Sequence, residues 1–164
     1  MNTIWLALDE DLCVPQRIAL LHTPSDPIVR DASVPACIDA IDVLSDAYGL
    51  DPAPVLELGS RCQFEEEAPR GFVRALRGAV ERAETLELGI VMDITAGRKY
   101  MSAMMTLMAA LHRTSVHAIY YTHLYSRDYE HVLYPLIPRP EHEVRDLGEL
   151  VDPPSGQAGE GRRS

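Results

Sequence analysis

The chain has 164 residues, 46% of them hydrophobic, and a formal net charge of −10. That length and apolar fraction fit one domain with a core of its own. The negative balance excludes a general binder of long nucleic acid or of an anionic membrane surface, but not an anionic ligand held in a local positive pocket.

Cys13, Cys37 and Cys62 are odd in number and widely spaced, which reads as reduced thiols in a cytoplasmic protein. No segment approaches the roughly 18–20 apolar residues of a membrane span, and no leader is expected ahead of Thr3.

In chain order, Thr3 to Leu8 reads as a first strand, closed by the charged turn Asp9-Glu10-Asp11 and Pro15. Arg17 to His22 is a second apolar run, with His22 and Thr23 at its carboxyl end and a Pro/Ser/Asp loop beyond. The short connection leaves these two strands either antiparallel or joined by an abbreviated crossover. Val34 to Tyr48 is predicted as a helix: Ser33 caps it, Pro35 fits its first turn and Gly49 ends it. Ile38, Ile41, Val43 and Leu44 would be its apolar face; Asp39, Asp42 and Asp46 would face water. Pro54 to Gly59 is a short strand with Ser60-Arg61 at its exit, followed by a loop holding the solvated run Glu65-Glu66-Glu67.

Gly71 to Glu84 repeats apolar residues at helical spacing, and Leu86 to Asp93 is apolar enough for a strand covered on both faces. A helix then runs to about Arg113, its methionines Met101, Met104, Met105 and Met108 serving the core, a dimer face or an adaptable pocket wall. Ser115 to Leu124 is the next strand; His131 to Pro138 reads as a further short strand or an extended edge. The composition turns polar after Arg139, and from Val151 it is that of a disordered tail. The expectation is therefore an α/β protein: one domain over residues 1–140 with a Rossmann-like, mostly parallel sheet and helices on both faces, and a polar extension over 141–164.

Several chemistries are missing. There is no G-x-x-x-x-G-K-[ST] loop, no G-x-G-x-x-G, no G-x-S-x-G elbow and no zinc-type constellation among the six histidines, so neither a cofactor nor a metal is expected. What stands out is the corner Asp93-Ile94-Thr95-Ala96-Gly97-Arg98-Lys99 between a predicted strand and helix. Amides at a helix N-terminus are unpaired and favour anions. Lys99 is the one lysine among 15 basic residues. Ligands of α/β sheets sit beyond the carboxyl ends of the strands. The polar groups at such ends are His22-Thr23, Ser60-Arg61, Asp93-Thr95 and Tyr121-Thr122-His123.

The segment from Asp93 to Met101 resembles the strand-to-helix motif of the CARF family, the CRISPR-associated Rossmann-fold sensors of cyclic oligoadenylate. That family commonly has Asp-x-Thr-Gly-Gly-x-Lys-x-Met. The chain keeps Asp93, Thr95, Gly97, Lys99 and Met101, and has Ala96 where glycine is usual. The resemblance implies a homodimer holding cyclic tetra- or hexa-adenylate across its two-fold axis, since a two-fold ring matches an isologous pair. It places Thr95, Ala96, Gly97, Arg98 and Lys99 on the ligand, and the strand-end residues Thr23, Ser60 and Arg61 are expected to bind it as well. Asp93 braces the loop, and Tyr121 flanks adenine.

Three readings follow. The first is a ring nuclease that cuts the ligand without metal, leaving 2′,3′-cyclic phosphate ends, with Lys99 as its electrostatic catalytic group. The second is a non-catalytic sensor that signals to a separate effector protein. The third is an unrelated nucleotide-binding α/β domain.

Overall fold

A computed structural model describes residues 2–23, 33–65, 68–95, 98–129, 132 and 136–148. The chain is an α/β protein. Its elements run α1 (Asn2–Asp9), β1 (Arg17–Ala19), α2 (Ser33–Ala47), β2 (Val55–Glu57), α3 (Pro69–Thr85), β3 (Ile90–Asp93), α4 (Lys99–Leu111), β4 (Val116–Leu124) and β5 (His142–Asp146).

The first element is a helix, not the strand its apolar run suggested. Thr3, Leu6 and Ala7 are buried at i, i+3 and i+4, which is helical spacing, and Leu and Ala are strong helix formers. A six-residue apolar run carries both periods, and burial on the sheet selects the helical one. The question of how two initial strands are joined therefore does not arise.

Among the described residues the sheet is not one parallel unit. β1 and β2 pair in parallel by themselves, while β3, β4 and β5 form a second sheet with β4 in the centre. β4 is parallel to β3 and antiparallel to β5. The stretch after Arg139 supplies β5, so part of the predicted polar extension belongs to the sheet. Of the predicted strand His131 to Pro138, His131 and residues 133–135 lie outside the described residues, as do the predicted tail from 151 and Glu66 and Glu67. Ile137 is buried in an irregular segment.

Helices cover both faces of the second sheet. Ala118 and Tyr120 of β4 pack with Ala7 of α1, with Cys13 and Val144 alongside. Ile119, on the opposite face, joins Met92, Met101, Met108, Phe72, Leu76 and Val80 in the main core between the sheet, α3 and α4. The register shifts between Ile90 and Val91, whose partners are Val116 and Ala118, so His117 is an extra residue. That bulge lets Val116 and Ile119 serve the same core despite their odd spacing.

The methionine stripe of α4 is core: Met101 and Met108 are buried and Met104 and Met105 pack against them. β3 is shorter than predicted and covered unevenly. Leu86 and Glu87 form a turn, with Glu87 at φ 55°, and Val91 remains 41% exposed. α1, only 8 residues long, packs over β4 and β5. Gly49, just past the end of α2, has a φ of 62° that suits a residue without a Cβ. Val43, expected on its apolar face, is 65% exposed, whereas Ile41 and Leu44 are buried.

Candidate functional site at the strand-end corner

The corner between β3 and α4 is built from short polar side chains. Ile94 N–H donates to the Tyr120 carbonyl at 2.9 Å, continuing the strand ladder one step past β3. There the chain turns: Asp93 Oδ1 accepts the Thr95 amide at 2.8 Å, an Asx turn. Thr95 Oγ1 in turn accepts the Thr122 amide at 2.8 Å, so a side chain stands where the next ladder carbonyl would be. Ser102, in the first turn of α4, donates to the Ile94 carbonyl at 3.1 Å and ties the helix start to the strand end.

Thr95 also meets the amino-terminal helix. Its Oγ1 lies 3.1 Å from Thr3 Oγ1, and Thr3 Oγ1 lies 2.7 Å from Thr122 Oγ1. Thr3 is only 3% exposed. Three hydroxyls from α1, the β3 exit and β4 thus form one hydrogen-bonded cluster. Because Thr3 sits in the first turn of α1, two helix N-termini, those of α1 and α4, converge on the turn after β3. Each brings the partial positive charge of a helix start.

The start of α4 adds to that charge. Its N-cap, Arg98, is extended and makes no side-chain cap, and no acidic residue lies in the first turn. Arg98 and Lys99 are both exposed. Cations at a helix N-terminus oppose the helix dipole, where Asp or Glu would be stabilising. Ala96 and Gly97 lie outside the described residues.

The second strand end approaches through the core. β1–β2 pairing resumes after a turn: His22 N–H donates to the Cys62 carbonyl and Phe64 N–H to the His22 carbonyl, each at 3.0 Å. The turn closes with Cys62 N–H on the Gly59 carbonyl, Gly59 having φ 82°. Ser60 and Arg61 ride on it, exposed. His22 Nδ1 donates to the Thr23 carbonyl at 2.8 Å. Leu21 and Phe64 pack in the same core as Met92, Tyr100 and Met101, through an edge-on Phe64–Phe72 contact at 5.0 Å and a Phe72–Tyr100 contact at 6.0 Å. The His22–Thr23 end and the start of α4 are therefore seated on one cluster. Among the described residues, Thr23, Ser60 and Arg61 make no hydrogen bond to the Asp93–Lys99 corner.

β4 runs past the end of β3 and carries a row of rings there. Tyr121 and His123 have centroids 6.2 Å apart, and His123 and Tyr125 meet edge-on at 4.6 Å. These residues alternate with Thr122, on the face that Ile119 shares with α4. Tyr125 donates to Glu143 at 2.8 Å, and Arg145 donates to both Glu143 and the Tyr125 hydroxyl. The Arg145 and Tyr125 hydrogen bonds hold the Glu143 carboxyl below the usual range.

Other ionic groups serve packing. Burial pushes the Glu57 carboxyl up, but hydrogen bonds from Arg82 at 2.9 Å and Arg17 at 3.1 Å outweigh it and leave the pKa lowered. At the opposite end of α4, Glu84 takes hydrogen bonds from His112 and Ser115, both at 2.8 Å, which lower its pKa. Burial raises the Cys62 thiol. Among the described residues no three His, Cys, Asp or Glu side chains gather to hold a metal, and no helix is long and apolar enough to cross a membrane.

Sequence reasoning missed Thr3. Read as the start of a strand, it pointed away from the strand ends; as the first turn of a helix, it belongs to them. The signal was the Thr3–Leu6–Ala7 spacing. Comparison with known protein families, with curated proteins and with solved structures found no match.

Proposed function

We propose that the corner at Asp93–Lys99 binds a cyclic oligoadenylate, such as cyclic tetra- or hexa-adenylate, across a homodimer. The observation that carries the reading is the convergence of two helix N-termini, with Arg98 and Lys99 exposed beside them, in a chain of net charge −10. Cations crowded onto a helix start break the local electrostatic preference, and such departures concentrate at functional sites. An anionic phosphodiester offsets that cost.

Thr95 is already held by Asp93 and Thr122, so its backbone is fixed before any ligand arrives, which reduces the ordering cost of binding. Tyr121 and His123 offer ring faces for adenine next to the phosphate corner. In this reading the parallel pairs β1–β2 and β3–β4 are the two halves of a Rossmann-like arrangement, joined through the core that Leu21, Phe64, Met92 and Met101 share. Thr23, Ser60 and Arg61 then line the far side of the ligand. Signalling passes to a separate effector protein unless the ring is cut at the site.

The test is thermal unfolding with cyclic oligoadenylates of several ring sizes. One size at a hundredfold excess over its Kd should stabilise the fold by about 2.7 kcal/mol. Lys99→Ala should abolish the shift while leaving the circular dichroism spectrum unchanged, because Lys99 is exposed. Chromatography of the same mixtures separates binding from cleavage, since ring cutting without metal leaves 2′,3′-cyclic phosphate ends. If no ring size raises the melting temperature, the proposal fails.

A further inference from the structure

The exposed faces of α2 and α3 carry matching patterns of opposite charge. On α2, Asp39, Asp42 and Asp46 are exposed, with Val43 between them at 65% exposure. On α3, Arg70, Arg74 and Arg77 are exposed around the half-buried Val73. Both sets fall at i, i+3, i+4 and i+7, so each covers about 100° of its helix. Each is three like charges around one valine. Pro69, Val73 and the arginine stems enclose a shallow groove of about 360 Å³ on α3. The acidic set projects an apolar knob; the basic set surrounds an apolar-floored groove. Among the described residues, none of these six charges forms an ion pair within the chain.

Three like charges on one helix face repel one another at a cost that an opposing partner removes. The excess negative charge of the chain argues against nucleic acid as that partner. A surface of complementary sign, spacing and shape is already present on the chain itself. We infer that the Arg70–Arg74–Arg77 face of α3 docks the Asp39–Asp42–Asp46 face of α2 from a second copy of this protein, with Val43 seated over Val73. The contact joins two different patches. It therefore either closes as a reciprocal pair or extends from copy to copy. It is independent of the ligand corner, whose residues lie on neither face.

Exposed ion pairs are individually weak and salt-screened, so the association is modest and strongly dependent on ionic strength. Sedimentation measures it in the full chain at about 20 mM and about 500 mM salt, where charges are weakly and strongly screened respectively. Four samples are compared: wild type, a triple Arg70→Glu/Arg74→Glu/Arg77→Glu variant, a triple Asp39→Lys/Asp42→Lys/Asp46→Lys variant, and an equimolar mixture of the two variants. At low salt the wild type and the mixture should have a higher average mass than either variant alone, because each reversal opposes like charges and the mixture restores attraction. That difference should vanish at high salt. A triple Arg→Lys variant at 70, 74 and 77 should behave as wild type. Equal masses for all four samples at low salt, whether monomeric or held together by another surface, overturn the inference. So does a mixture that stays at the mass of its components.

Discussion

The threonine cluster can be tested by a double-mutant cycle on Thr3 and Thr122, whose hydroxyls are 2.7 Å apart. Valine keeps the shape of threonine and removes only its hydrogen bonding. Thr3→Val leaves Thr122 Oγ1 without its 2.7 Å partner and removes the 3.1 Å contact to Thr95. Thr3 is 3% exposed, so water does not readily replace the lost partner. A stranded hydroxyl costs about 1–3 kcal/mol where buried, and a typical hydrogen bond contributes about 1 kcal/mol net. Each single substitution should therefore cost about 1–2 kcal/mol, or about 2–8 °C in Tm for a chain of this size. The double substitution removes both partners, and replacing both is far cheaper than orphaning one. It should fall about 1 kcal/mol short of the sum of the singles. Urea unfolding with unchanged m-values provides the measurement. Simple additivity would mean that the two hydroxyls do not interact, and α1 would lose its tie to the strand ends.

Two further outcomes concern single groups. Asp93→Ala removes the acceptor of the Thr95 amide and should cost about 1 kcal/mol, whereas Asp93→Asn keeps an acceptor suited to an Asx turn and should stay within about 0.5 kcal/mol of wild type. Equal losses in Ala and Asn would show that charge, not the hydrogen bond, braces the turn. Glu57 has a pKa lowered from the ordinary 4.5, so its contribution is complete above about pH 4.5 and is lost as the pH falls through the lower folded value. Glu57→Gln should therefore destabilise the protein at neutral pH, and the difference from wild type should shrink in melts carried down through that range. A gap independent of pH would refute the assignment.

Much of the architecture could be read from periodicity. α2, α3 and α4 follow apolar spacing, α2 with end signals as well, and the Met92–Ser102 stretch was located by the change of period from strand to helix. Short runs failed where they carry both periods at once. Thr3–Leu8 is helical because its buried residues meet the sheet at helical spacing, a fact of tertiary packing. β5 was missed because His-Glu-Val-Arg-Asp has one aliphatic residue; a charged strand of this kind forms by pairing with β4 rather than by burying a hydrophobic face. Val43 looked like core from its type, yet its position beside Asp39, Asp42 and Asp46 puts it in water. At the site, Asp93, Thr95 and Lys99 were visible because they share one short segment. Thr3 and Thr122, which lock Thr95, are 92 and 27 residues from it in sequence, beyond the reach of local pattern.

That separation has a consequence for synthesis. The contact between Thr3 and Thr122 spans 119 residues, so the first helix leaves the ribosome long before its partner exists. A nascent chain halted anywhere before β4 presents α1 with no sheet to lie on and the candidate corner with two of its three hydroxyls at most. Closing so long a loop is slow relative to forming the local helices. The candidate corner is thus among the last parts of the protein to take shape. Truncated products of interrupted translation cannot assemble it, however well their individual helices form.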